Sequence, residues 1–217
     1  TNDHDGSFNP GHDTGGAMLW PVALRPYYGE SEDILQCPMA TKPFDLHEFG
    51  PHSLWRQTFT TSGGIQLTVD SSYSISNWTN AMTKNRGARL EEWFWKNVNN
   101  NTTFPGRQAV NRHNIPVFLD GTWFDGWPRH DDDPPAFDGE VDVGNFGVTD
   151  EMKQFCISRH GSFINGAFMD WSVRKIGLKE LWTLKWHRNF DLTGPWTKAG
   201  GVSADDWPEW MRHLKDY

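Results

Sequence analysis

Thirteen tryptophans and 14 phenylalanines stand in a chain whose hydrophobic residues make up only 36% of 217 and whose mean hydropathy is −0.68. That pairing limits what the chain can fold into. Low hydrophobicity alone would suit a disordered segment, but disordered segments are also poor in aromatics. One large ring buries about 150–250 Å², so a few rings can replace many aliphatic side chains. The chain therefore reads as a single folded domain over residues 1–217, with a thin aliphatic core. Its 21 glycines and 13 prolines imply many turns and long irregular connections. No apolar run approaches the roughly 18 residues that would span a bilayer.

Charge narrows the function. The chain carries 20 basic and 28 acidic side chains, net −8. A nucleic-acid binder normally shows a basic footprint, so this net charge sets that class low. The acidity gathers between Asp125 and Asp142, and basic residues gather from Arg174 to Arg188. These unlike stretches are either solvated faces or the two halves of a polar self-association.

Periodicity places the elements. Met18 to Tyr28 reads as a short helix ended near Pro26. Ile65 to Ile75 alternates like a strand, and Asn114 to Asp120 is a strand with Pro116 near its start. Arg86 to Val98 has helical spacing. Gly121 to Val148 is a long Pro, Gly and Asp-rich loop. Gly161 to Asp170 and Ser172 to Ile176 read as a hairpin, and Leu178 to His187 as a helix. Trp207, Trp210, Met211 and Leu214 form a helical stripe, with Asp206 and Glu209 as its capping box.

Chemistry is sparse. His47-Glu48-Phe49-Gly50-Pro51-His52 misses the zinc-protease spacing, and Gly-Pro would break the required helix. There is no nucleophile elbow, phosphate loop or dinucleotide fingerprint. Cys156 with His160 could form a nucleophilic pair. Asp120, Asp125, Asp131, Asp132 and Asp133 could offer oxygens to calcium from a flexible loop, though no fixed ligand spacing appears. Trp123, Trp127 and Trp196 lie in Gly/Pro loops and could stack on sugars or anchor the loops. Asn77-Trp78-Thr79 and Asn101-Thr102-Thr103 match the glycosylation sequon. Cys37 and Cys156 could be two buried thiols or one disulfide; the loop between them would make a bridge worth roughly 4–5 kcal/mol in the chain-entropy model.

Arg159-His160-Gly161, Asn165, Phe168-Met169-Asp170 and Ser172-Val173-Arg174 place His160 and Asp170 with nine residues between them. This segment resembles the C-terminal signature of bacterial type IV pilin-like, type II secretion pseudopilin-related proteins with a prepilin-type His-x9-Asp-Gly domain. Asn2 to Gly6, Leu24 to Tyr28, Cys37-Pro38-Met39-Ala40, Ser72 to Ser76, Phe118-Leu119-Asp120 and Gly177 to His187 follow in the family's order. The family's Gly after the Asp is Trp171 here. Glycine eases the positive φ of a hairpin turn, so either the turn is of another type or Asn165-Gly166 makes it.

The resemblance implies an α+β pilin-like head: an antiparallel sheet of about four strands, short flanking helices and long loops. It implies a non-catalytic structural subunit of a type II secretion or type IV pilus-like assembly. His160, Asn165 and Asp170 are then structural, a Cys37–Cys156 disulfide is favoured, and calcium becomes more plausible. The partners would be other pilin-like subunits, joined through an apolar N-terminal helix that this sequence lacks. The place would be extracellular, cell-surface or periplasmic, with a precursor anchored in the inner membrane. The chain starts at Thr1 without a Met or a leader, so a processed or truncated product is expected. Two other classes stay open: a secreted or surface carbohydrate-binding module using Trp123, Trp127 and Trp196, and a hydrolase using the acidic loop.

Overall fold

A computed structural model describes residues 19–29, 31–45, 50–61, 63–79, 96–98, 101–103, 111–141 and 150–217. The fold is mostly β with few, short helices. Its centre is a five-stranded mixed sheet in the order β7-β3-β6-β8-β9. The strands are β3 (Tyr73–Ser76), β6 (Pro116–Asp120), β7 (Asp125–Gly126), β8 (Phe163–Phe168) and β9 (Val173–Gly177). The expected sheet of about four antiparallel strands is present as β3-β6-β8-β9. The two-residue β7 adds a fifth, parallel to β3, and makes the sheet mixed.

A hairpin of β1 (Trp55–Thr60) and β2 (Gln66–Ser71) stands beside the sheet. Alternation explains it. Trp55 and Phe59 point inward, while Arg56 and Thr58 face out. The outer face is laced across the register: Arg56 donates to both oxygens of Asp70 at 2.6 Å, and Thr58 Oγ1 lies 2.9 Å from Thr68 Oγ1. A third pair, β4 (Lys96–Val98) with β5 (Asn101–Thr103), is antiparallel. The expected helix over Arg86 to Val98 is therefore a strand at its end; its remainder lies outside the described residues.

Helix content falls short of the α+β expectation. Among the described residues the α-helix is α1 (Trp20–Ala23), within the expected Met18 to Tyr28 segment; the rest are 3₁₀ turns. Leu178–Thr183 is one of them, not the start of an α-helix to His187. Leu184 ends the turn in extended geometry, and Asn114 holds the chain on either side of it: its side chain donates to Thr183 O (3.0 Å) and its carbonyl accepts from Lys185 N (2.8 Å). The C-terminal stripe is also two short turns, Ala204–Asp206 and Glu209–Met211. Pro208 sits between them in extended geometry, and the capping box is Ser203 with Asp206 rather than Asp206 with Glu209. The stripe still faces inward, because Trp207 and Met211 are buried. Among the described residues no helix is long and apolar enough to cross a membrane.

The β8–β9 turn runs through Met169, Asp170 and Trp171. Phe168 N donates to Ser172 O (2.9 Å) and Trp171 N to Phe168 O (2.8 Å). Trp171 takes the left-handed conformation, φ 68°, where the resembled family has glycine. Asn165 and Gly166 do not turn; they lie inside β8. Gly166 is needed there for a different reason. A Cβ would come within 2.5 Å of Ile176 Cδ1 on the neighbouring strand.

Tryptophan organises the core. One cluster holds Trp78, Phe155, Trp182, Trp186 and Trp207; another holds Trp20, Trp55, Phe59 and Phe124. Six indole N–H groups each donate to a backbone carbonyl: Trp20 to Phe124, Trp55 to Tyr73, Trp78 to Pro128, Trp182 to Asp132, Trp186 to Leu181 and Trp210 to Pro135. Most of these carbonyls lie outside regular strands. A buried carbonyl left unpaired is costly, so each indole fills the core with its ring and satisfies a neighbouring loop with its tip.

Candidate functional site

The strongest side-chain constellation lies where three chain segments meet. Asp120 ends β6 and is fully buried. His160 lies in the turn before β8, and Asn165 lies inside β8. Cys37 follows the 3₁₀ turn Glu32–Leu35 and is tied to the sheet by its N–H, which donates to Ser72 Oγ at 2.7 Å.

All of them converge on one atom. His160 Nε2 lies 3.5 Å from Cys37 Sγ, 3.2 Å from Asp120 Oδ2 and 3.0 Å from Asn165 Nδ2. Asp120 Oδ2 also accepts from Asn165 N at 2.8 Å. The His160 ring stacks on Phe163 at 5.5 Å with 11° between planes, which fixes its orientation. Among the described residues, Cys37, Asp120 and His160 are the one group of three Cys, His or acidic residues whose ligand atoms all lie within 4.8 Å of each other.

Arg159 braces the site from behind. Its guanidinium is fully buried and donates to the carbonyls of Pro51, Ser72, Ser53 and Gly121, with Nη1 3.5 Å from Asp120 Oδ1. Burial pulls its pKa down and the Asp120 carboxylate pushes it back up. Gly121 must lack a side chain, because a Cβ would fall inside the envelope of Ser74 Oγ.

Cys37 is a thiol under opposing influences. Burial pushes its pKa up, while N–H bonds from Met39 and Ala40 favour the thiolate. Burial pushes the neighbouring Tyr73 phenol up to about 12.

Other expected site residues lie apart. Of the five aspartates considered for calcium, only Asp120 belongs to this cluster. Asp125 accepts from Asn77 Nδ2 at 2.6 Å. Asp132 is buried and accepts from Arg129 N and Met152 N. Asp131 and Asp133 are exposed. The five carboxylates are not brought together among the described residues: Asp120 and Asp125 meet distant partners, Asp132 takes two backbone N–H groups, and Asp131 and Asp133 are exposed. Asn77 is itself buried, which removes it as a glycan acceptor.

The expected Cys37–Cys156 disulfide is not formed: both cysteines are free. Cys156 sits deep in the main aromatic cluster, 4.0 Å from Met211 Sδ, whereas Cys37 belongs to a small separate cluster with Ala40 and Leu54. His160 faces Cys37, so the Cys156–His160 pair also fails. The three loop tryptophans are half-buried, each packed on another ring. Trp123 packs against Phe124 at 5.1 Å, Trp127 sits edge-on to Trp78 at 5.0 Å, and Trp196 leans on Trp182 and Trp207. A hollow of about 300 Å³ is lined by Ser158, Gly161, Ser162, Trp210, His213 and Leu214, and none of those three tryptophans lines it.

Asp170 holds the hairpin turn, its Oδ1 accepting from Ser172 N (3.0 Å) and Ser172 Oγ (2.6 Å). His160 and Asp170 thus serve opposite ends of β8. Sequence reasoning missed Arg159 and the pairing of Cys37 with His160. Arg159 is adjacent to the signature, but nothing local announces that a charged side chain will be buried.

Comparison with protein-family models, with curated proteins and with solved structures gives no match for this chain.

Proposed function

We propose that this chain is the head of a non-catalytic structural subunit, pseudopilin-like, of a type II secretion or type IV pilus-like assembly. The observation that carries the reading is how the signature residues are used. His160 and Asn165 meet Asp120 and tie the start of β8 to the end of β6. Asp170 closes the β8–β9 turn. His160, Asn165 and Asp170 thus make contacts that hold the β8–β9 hairpin in the sheet, which supports a structural role. The ordered motifs from Cys37-Pro38 to the Gly177–His187 tail support the same reading.

The sequence encoded upstream of Thr1 tests it. A prepilin-type cleavage site followed by an apolar helix of about 20 residues is the expected finding. A reading frame that opens at Thr1, or a folded domain in that position, overturns the proposal.

A further inference from the structure

We infer that Cys37, Asp120 and His160 form a binding site for a zinc-type divalent cation, with the Asn165 side chain or a water as fourth ligand. The site would pin the Cys37 loop, the end of β6 and the start of β8 to one point.

The first argument is the crowding on His160 Nε2. A neutral imidazole nitrogen offers either one hydrogen or one lone pair. It cannot bond the Cys37 sulfur, the Asp120 oxygen and the Asn165 amide together, yet all lie within 3.5 Å of it. A cation set among these atoms, rather than a proton shared between two, satisfies them all.

The second argument is metric. Zinc–ligand lengths of about 2.3 Å to sulfur and about 2.0–2.1 Å to nitrogen or oxygen give tetrahedral edges of roughly 3.5 Å for S···N and roughly 3.3 Å for N···O. The observed separations are 3.5 Å for Cys37 Sγ to His160 Nε2 and 3.2 Å for His160 Nε2 to Asp120 Oδ2. Asn165 reaches the fourth position if its amide is turned so that oxygen faces inward, an exchange of atoms of nearly equal shape.

The donor set selects the metal. One thiolate, one imidazole and one carboxylate suit zinc and disfavour calcium, which takes six to eight oxygens. The surroundings are those of ligands already held: Asn165 N and Arg159 orient the Asp120 carboxylate, and the Met39 and Ala40 amides face the Cys37 sulfur. A nucleophilic Cys–His pair is a poorer account. Such a pair needs its acidic partner on the other imidazole nitrogen, whereas Asp120 shares Nε2 with Cys37. Loading is balanced by release of the Cys37 thiol proton to solvent as the sulfur–metal bond forms.

The test uses the whole chain, reduced and stripped with a chelator, then titrated with cobalt(II) as a spectroscopic stand-in for zinc. The expected result is a thiolate-to-cobalt charge-transfer band that saturates at one equivalent and is displaced by zinc. Absence of the band, or continued growth without saturation, overturns the site. Cys37→Ser and His160→Gln should each abolish the band or weaken binding by about a hundredfold. Should either variant fail to fold, Cys156→Ala decides the assignment, since only two cysteines exist. It keeps the band if Cys37 is the ligand, and its loss there refutes the proposal. None of these readouts depends on the pseudopilin reading, so either proposal can fail alone.

Discussion

Arg159 and Asp120 form a fully buried ion pair, Nη1 to Oδ1 at 3.5 Å, in which the arginine also holds four backbone carbonyls. The carbonyls come from residues 51, 53, 72 and 121, so one guanidinium joins the Cys37-side loop, the start of β3 and the end of β6. Lysine cannot replace it, because an ammonium has three donors on a flexible stem and no planar fork. Removing one partner of a buried pair leaves an uncompensated charge, at about 3–5 kcal/mol. Arg159→Lys and Arg159→Met should both lose roughly that much in chemical denaturation. A shift in the Arg159→Met midpoint worth less than about 1 kcal/mol would show that water reaches the site and replaces the guanidinium.

Trp182 shows how this chain manages with few aliphatic residues. Its ring is buried between Trp196 and Trp207, and its N–H donates to Asp132 O at 2.9 Å. Trp182→Phe keeps most of the apolar area but orphans that carbonyl. The expected cost is roughly 2–3 kcal/mol, about 1 kcal/mol for the bond and the remainder for the lost ring volume. Hydrogen exchange should show the 129–133 segment opening more often in the variant. An unchanged exchange pattern there would argue against the anchoring role.

Trp171 costs stability where it stands. It is 70% exposed and holds φ 68°, so it buries little while occupying the left-handed region. A non-glycine residue there costs roughly 1–2 kcal/mol, and glycine returns part of that as unfolded-state entropy. Trp171→Gly should therefore raise stability by up to about 1 kcal/mol, or a few degrees in Tm. A fall in Tm would mean that the exposed ring makes a contact worth more than its strain.

How much of this was legible beforehand follows from the range of each interaction. β8 and β9 were visible because alternation is local: Ile164 and Ile176 pair across the sheet from adjacent stretches of chain. The α-helix expected over Leu178 to His187 is a short turn instead, and the partner that holds its end, Asn114, lies some 69 residues away in sequence. The placement of the five aspartates was hidden for a related reason. A run of aspartates shows charge but not which backbone N–H each carboxylate will meet. Cys37, Asp120 and His160 carry ligand-type side chains, but no spacing rule joins residues 37, 120 and 160. Only the β6–β8 register and the Cys37 N–H bond to Ser72 bring them together.

Asp132 and His187 should oppose each other in pH. Burial pushes the Asp132 carboxyl up to about 7, against the Arg129 and Met152 amides and with help from the charges of Asp150 and Asp131. The folded state then keeps a proton that the unfolded chain gives up near pH 4. This contribution is fully present below about pH 4 and is lost as pH rises towards 7, at about 1.4 kcal/mol per unit. His187 is packed between Trp78 and Phe190; burial first, then Arg129, His130 and Lys185, depress its pKa to about 3. Here the unfolded chain binds the proton first. That contribution is present above about pH 6.5 and is lost as pH falls towards 3, with the same slope of opposite sign. Between about pH 4 and 6.5 the two slopes cancel. Asp132→Asn, which still accepts both amide bonds, removes the first slope, so its stability should rise with pH across that window. His187→Gln removes the second, so its stability should fall. Denaturation midpoints at pH 4.5, 5.5 and 6.5, as approximate sampling points in that window, check both, and two variants tilting in the same direction would refute the assignment.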